Sequence, residues 1–252
     1  MRTWQYLTLD ATGTLLRPAE AIGATYLRFW EAESGNSFSS SRRTVLTKAL
    51  TAHFPSEFRM LSQRRPNFGS DGTDPSAFTW WRDLVIRVMN RAEVFICTSI
   101  NTEQSERFTS QLYAHFGRPE AWSVFDDVRP TLELLQKSGV PMGVFSNFDE
   151  RLEPLLVGLG LRDFFYVVTK SYDQPHMKPH ASIFNSTFKN LQGNGERVVP
   201  SNFLHVGDHL TKDYKAARAV GAQALLLCRE SQKPPILEAK DLIDTLQQIV
   251  YH

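Results

Sequence analysis

Trp4-Gln5-Tyr6-Leu7-Thr8-Leu9-Asp10-Ala11-Thr12-Gly13-Thr14 is the stretch whose reading decides the fold. A short aromatic and apolar run ends abruptly at an aspartate and passes into a glycine-containing loop. That is the pattern of a strand buried on both faces, with a polar residue at its carboxyl end. The same pattern recurs at Val140–Phe145 before Ser146-Asn147, at Phe164–Thr169, at Phe203–Val206 before Gly207-Asp208, and at Gln223–Leu227. Helical spacing fills the intervals, over Arg129–Ser138, Arg151–Leu159, Ser182–Leu191 and Asp213–Val220. Continuously apolar strands alternating with helices of about ten residues predict βαβ units and a parallel sheet.

The stretch 17–122 reads differently. It carries helix-like segments at Glu20–Glu33, Ser41–Thr51, Pro75–Asn90 and Thr102–Phe116, and no clear core strand. The expected architecture is a Rossmann-like, three-layer α/β parallel-sheet core (1–16 and 123–252) with an inserted all-helical cap (17–122).

Composition bounds the functional classes. Of 252 residues, 42% are hydrophobic, and 28 Lys+Arg stand against 27 Asp+Glu. That balance gives no basic footprint for nucleic acid or an anionic membrane. Two cysteines, Cys97 and Cys228, build no disulfide framework; they read as inert apolar fillers in a reducing compartment, and the expected location is intracellular, cytoplasmic by default. An apolar signal core is missing, and so is any apolar run long enough for a membrane helix.

In open parallel sheets, ligands sit beyond the carboxyl ends of the strands. Here Asp10, Ser146-Asn147 and Gly207-Asp208 all fall at such ends. Four motifs, Asp10-Ala11-Thr12-Gly13-Thr14-Leu15, Phe145-Ser146-Asn147, Lys178-Pro179 and Val206-Gly207-Asp208 with Asp213, resemble in type and order those of the haloacid dehalogenase-like superfamily, mainly phosphatases with an aspartate nucleophile. Ser146–Leu152 and Leu159-Gly160-Leu161 resemble one eukaryotic group within it. The helical insertion resembles the family's cap, whose opening and closing would gate a site beside the core.

The resemblance implies roles. Asp10 would attack phosphorus and form an aspartyl-phosphate. Mg²⁺ would be held by Asp10, Asp208 and the backbone carbonyl of Thr12, with Asp213 a ligand or support. Lys178 would neutralise phosphoryl oxygens and restrain Asp10, while the Ser146 hydroxyl and the Asn147 backbone N–H hold the phosphoryl group. The expected partner is a small phosphorylated molecule.

One position departs from the pattern. Most phosphatases of the superfamily carry a second aspartate two residues after the nucleophile, as general acid and then base. Thr12 stands there, and a hydroxyl cannot do that work near neutral pH. Three readings follow: a slow Mg²⁺-dependent phosphohydrolase or phosphotransferase, a pseudoenzyme that binds or scaffolds, and a metal-independent 2-haloacid dehalogenase. The last is disfavoured by the acids at Asp208 and Asp213.

Other features have ordinary explanations. His176, His180, His205 and His209 lack a Cys or Glu companion at zinc-ligand spacing. His176, His209 or Asp149 could replace the missing base, although Asp149 reads better as a helix N-cap. Trp80-Trp81-Arg82 reads as packing, and Arg59, Arg64 and Arg65 as a solvated cluster.

Overall fold

The computed structural model describes residues 4–70, 76–95, 101–193, 197–229 and 238–239. The chain divides into two compact units, Met1–Arg17 with Ser123–His252, and Pro18–Trp122.

In the first unit, strands β1 (Tyr6–Leu9), β4 (Met142–Ser146), β5 (Val167–Lys170), β6 (Phe203–Gly207) and β7 (Gln223–Leu227) form one parallel sheet in the order β5-β4-β1-β6-β7. A two-residue strand, β8 (Glu238–Ala239), adds to β7. Short strands β2 (Leu16–Pro18) and β3 (Trp122–Val124) pair with each other where the chain leaves and rejoins this unit. Helices α5 (Val128–Lys137), α6 (Leu152–Gly158), α7 (Ala181–Gln192) and α8 (Ala216–Ala219) flank the sheet. This is the expected α/β class. The apolar runs are long because the central strands are shut off from water on both faces: Leu7, Leu9, Val144 and Phe145 are fully buried. Phe145 and Phe203 share one core with Phe184 and Phe188 of α7 and Ala216 and Ala217 of α8.

From β1 the chain builds outward in one direction through β4 and β5, and in the other through β6 and β7. The reversal falls between β1 and β6, which places the carboxyl ends of those two strands, and therefore Asp10 and Asp208, at the crevice where such sheets bind ligands.

The helix expected at Asp213–Val220 starts earlier. A π-helical turn over Leu210–Lys215 precedes α8. The reason is local capping: the His209 ring accepts the amides of Thr211 and Lys212, and the Asp213 carboxylate reaches back to the His209 N–H.

The second unit contains α1 (Ile22–Ser34), α2 (Ser40–Arg64), α3 (Phe78–Arg91) and α4 (Thr102–His115). Each packs on the next, and α4 returns to α1, closing a four-helix ring. Its core holds Tyr26, Trp30, Leu50, Trp80, Leu84, Phe108 and Leu112, all buried. Helix α2 runs past the expected end at Thr51 and through Pro55. A mid-helix proline costs about 3 kcal/mol. Apolar residues at Leu46, Leu50, Phe54, Phe58 and Leu61 continue the helical stripe across it, and Phe58 lies 5.2 Å from the Trp80 ring. Packing therefore overrides the local signal.

Trp80 and Trp81 do pack. Phe68 lies against both, at 5.3 and 5.9 Å, and the Trp80 indole donates to the Arg65 carbonyl at 2.8 Å. Arg64 is exposed, and Arg65 pairs with Asp83 at 2.9 Å. Cys97 lies outside the described residues; Cys228 is a half-buried free thiol.

Candidate active site

Asp10 follows β1 directly, its amide tied to the Val206 carbonyl of β6 at 2.9 Å. The loop beyond turns tightly because the Ala11 carbonyl accepts the amides of Thr14, Leu15 and Leu16. Gly13 sits in the left-handed region at φ 83°, and a Cβ there would fall 2.2 Å from Asp208 Oδ2. Gly207 is equally constrained: a Cβ would meet the Asp213 carboxylate at 2.3 Å. Both glycines exist so that a carboxylate can lie against bare backbone.

Oxygens of Asp10, Asp208 and Asp213 all lie within 4.8 Å of one another. Lys178 closes the group. It is 2% exposed, and its ammonium donates to Asp10 Oδ1 at 2.7 Å, Asp213 Oδ1 at 2.6 Å and the Phe145 carbonyl at 2.9 Å. Its three protons are thus committed. Burial disfavours its charge, but the two carboxylates outweigh burial and raise its pKa. Burial likewise works against an ionised Asp213, and Lys178 and His205 together hold it below the usual carboxylate range. Asp208 is the exposed member. Partial desolvation of its carboxyl, then the charges of Asp10 and Asp213, push it up to about 7.

Asn147 serves this arrangement through its side chain. Its amide donates to the Lys178 carbonyl at 2.9 Å and accepts the Lys178 amide at 2.8 Å. The clamp fixes the backbone that carries the lysine. Ser146 ends β4, buried, two residues beyond the Leu9–Val144 register pair. Thr12 is exposed on the loop after β1. Asp10, Lys178, Asp208 and Asp213 are therefore brought together, Asn147 braces them, and Thr12 stands at the rim.

Two residues weighed as substitute bases are otherwise engaged. Asp149 is buried, with one oxygen accepting from the Arg151 amide and Nε and the other from Arg151 Nη2 at 2.6 Å. His209 Nδ1 accepts two backbone amides, so in the neutral ring the proton sits on Nε2 and no basic nitrogen is left. Its pKa is lowered, first by burial and then by Lys212. His176 and His180 are exposed and stack on each other, 3.9 Å between centroids.

Sequence reasoning missed Thr8 and weighed His205 only as a zinc ligand. His205 on β6 and Thr8 on β1 stand opposite each other in register, both fully buried. The available signal was a polar residue in each of two otherwise apolar central strands.

A family model described as "haloacid dehalogenase-like hydrolase" matches residues 5–221. The chain belongs to the haloacid dehalogenase-like hydrolases. Haloacid dehalogenase-like hydrolase domain-containing protein 3 of Bos taurus is 32% identical over 92% of this chain and 85% of its own length. Two solved structures share the fold: a HAD phosphatase from Thermococcus onnurineus (TM-score 0.60, 21% identity, 98% of this chain and 97% of that one) and a 2-haloacid dehalogenase from Pseudomonas syringae pv. Tomato DC3000 (TM-score 0.62, 21% identity, 98% of each). Phosphatases and dehalogenases are thus both among the structural neighbours, and the residues of the site must separate the chemistries. Among the described residues, no helix is long and apolar enough to cross a membrane.

The donor set fits a hard divalent cation. It offers oxygen alone, and three carboxylates against one ammonium leave two negative charges when all are ionised. Partial desolvation, then the charges of Asp10 and Asp213, favour a proton on Asp208 up to about pH 7, and a cation ligated there would displace it.

Proposed function

We propose that this hydrolase is a slow Mg²⁺-dependent phosphohydrolase or phosphotransferase that works through a phosphoryl group carried on Asp10. The carrying observation is the carboxylate cluster of Asp10, Asp208 and Asp213 with Lys178 bridging two of its members. Asp10 and Asp208 would hold the cation, with the Thr12 carbonyl. Asp213 is so heavily bonded to Lys178, His205 and His209 that support suits it better than direct ligation. Bound there, the cation would supply charge neutralisation for the phosphoryl oxygens.

The chain's own residues account for the attack in the first half of the reaction. An Asp10 carboxylate oxygen attacks phosphorus, the bond from phosphorus to the leaving oxygen breaks, the phosphoryl group stays on Asp10, and the leaving oxygen takes its proton from water because Thr12 cannot give one. Lys178 keeps Asp10 ionised and oriented. The Ser146 hydroxyl and the Asn147 backbone N–H receive the phosphoryl oxygens, and Lys178 reaches them only by sharing one of its three committed protons. In the second half, water attacks phosphorus, the Asp10–phosphoryl bond breaks, and inorganic phosphate leaves. That step needs a proton acceptor, and Thr12 provides none. A better nucleophile than water would turn the same intermediate to transfer.

The substrate class is a small phosphorylated molecule; the even charge balance favours neither nucleic acid nor an anionic membrane. Two cysteines without a framework suit a reducing compartment, and we place the reaction in the cytoplasm. The engagement of Asp149 and His209 supports a second reading, a protein that retains phosphate binding without turnover. Metal-free dehalogenation would leave Asp208 without a purpose. The test is turnover of an aryl phosphate with Mg²⁺. Thr12→Asp should raise it by about 10²–10⁴-fold, and Asp10→Asn should abolish it. Absence of turnover in both wild type and Thr12→Asp, with Mg²⁺ and beryllofluoride still bound, selects the binding reading. Halide release from 2-haloacids without metal overturns both.

A further inference from the structure

Central strands of a doubly covered parallel sheet are expected to be apolar along their length, because a polar side chain there loses its water. Thr8 and His205 break that expectation on adjacent strands and at the same register. They satisfy each other: Thr8 Oγ1 lies 2.9 Å from His205 Nδ1. The ring's other nitrogen, Nε2, lies 3.1 Å from Asp213 Oδ1. Phe145 and Phe184 enclose the imidazole, 5.4 and 5.6 Å away between centroids.

The bonding fixes the tautomer. Burial keeps the imidazole neutral, with its pKa below the ordinary value, so it carries one N–H. An ionised Asp213 only accepts, so that proton is on Nε2. Nδ1 then accepts, and the Thr8 hydroxyl is its donor. Asp213 is consequently gripped by donors from three elements: His205 on β6, Lys178 on its loop, and the amide of His209 before the π-helical turn. Removing the β6 donor leaves Oδ1 tied to Lys178 alone and free to swing toward Asp10 and Asp208.

We propose that His205 is a positioning residue of the site. Its Nε2–H anchors Asp213, Asp213 fixes Lys178 against Asp10, and Thr8 meets the ring's other nitrogen. The functional side of this rests on the phosphoryl-transfer reading above; the anchoring itself does not.

The experiment uses the full chain and three variants, His205→Gln, His205→Leu and Thr8→Val. Gln sets an amide N–H near the position of Nε2, whereas Leu fills the space without a donor. Proton–nitrogen correlation spectra of the metal-free wild type should show a protonated Nε2 and a bare Nδ1, and Thr8→Val should keep that tautomer while shifting the Nδ1 resonance. Calorimetry with Mg²⁺ alone, then with beryllofluoride added, should show affinity falling about 10–100-fold in His205→Leu, the loss usual when the supporting shell of a metal site is broken. His205→Gln should stay within a few-fold of wild type. A wild-type ring protonated on Nδ1 overturns the proposal, as does wild-type affinity in a folded His205→Leu, or an equal loss in Gln and Leu. If Leu does not fold, His205→Asn replaces it: it has the same amide, one methylene short of Asp213, and equal affinity of Asn and Gln variants overturns the proposal. If wild type binds neither probe, the phosphoryl-transfer reading fails. The anchoring is then decided by the tautomer and by crystal structures, where an unmoved Asp213–Lys178–Asp10 arrangement in the Leu or Asn variant refutes it.

Discussion

Replacing Lys178 by Met tests whether the charge arrangement at the heart of the site holds the fold as well as the nucleophile. Methionine keeps the length and apolar stem and removes the ammonium. Three hydrogen bonds disappear, two of them to carboxylates. The two side chains left behind differ: that of Asp10 is 10% exposed and can recruit water, whereas that of Asp213 is 2% exposed and cannot. Removing one partner of a buried pair costs about 3–5 kcal/mol, mostly from the charge left unmatched. With two carboxylates affected, the upper part of that range, about 4–5 kcal/mol, is expected. For a chain of this size it corresponds to a drop in melting temperature of roughly 10–20 °C. Urea unfolding in EDTA at pH 7.5 measures it without a cation masking the deficit. Adding Asp213→Asn should return roughly 1–3 kcal/mol, because the second substitution removes the stranded charge. The pH dependence has a definite sign. Asp213 is depressed in the native protein, so its pairing stabilises above the ordinary carboxylate pKa and is lost as pH falls. The gap between wild type and variant should therefore persist down to about pH 4 and narrow below it. A Lys178→Met protein within about 1 kcal/mol of wild type, or a double variant no better than the single, would refute the argument.

Other measurements probe neighbouring parts. Asp208 is raised to about 7, so the native protein favours its protonated form, loses stability as pH rises from about 4 to 7, and regains it from a cation that needs the ionised form. Stabilisation by Mg²⁺ should accordingly be greater at pH 8 than at pH 5.5, with affinity changing by roughly thirty-fold, and equal thermal shifts at the two pH values would contradict it. Gly13→Ala should abolish Mg²⁺ binding, since its Cβ would lie 2.2 Å from Asp208 Oδ2. Gly139→Ala is the control: it shares a positive φ, of 67°, but nothing lies within 4 Å, so it should cost about 1 kcal/mol and leave Mg²⁺ affinity unchanged in calorimetry. Asn147→Leu should loosen the Lys178 backbone and cost about 1–3 kcal/mol in urea unfolding.

Much of this was legible in the sequence because the physics is local there. A strand buried on both faces must be an apolar run, and a ligand at its end must meet polar residues, so Asp10, Ser146 and Asp208 marked the strand ends that the sheet brings to one edge. What was not legible depends on partners far along the chain. Nothing near Lys178 says that its three protons are taken by residues 168, 33 and 35 positions away. His205 reads as an oddity until Thr8 and Asp213 flank it. Asp149 looks like a cap until Arg151 folds back on it. Pro55 predicts a break that Phe54 and Phe58 override by packing.

The arrangement is lopsided in a way that bears on its chemistry. Attack by a carboxylate needs an ionised nucleophile, a cation to restrain it and neutralisation of the incoming charge, and the side chains for all three converge at the ends of β1 and β6. Release of the phosphoryl group needs a proton acceptor that is free at neutral pH. Asp213 is bonded on both oxygens, Asp149 is closed by a guanidinium, and His209 spends its basic nitrogen on a helix cap. Asp208 is pushed up to about 7, and a bound cation would hold it ionised as a ligand. On the phosphoryl-transfer reading proposed above, the site supplies the nucleophile and its charge support, while the proton transfers of both halves wait on the exposed position that Thr12 occupies. On that reading, a phosphoryl group carried on Asp10 is long-lived once formed. Its lifetime, compared with that in Thr12→Asp, is the quantity that separates a slow catalyst from a protein that merely holds phosphate.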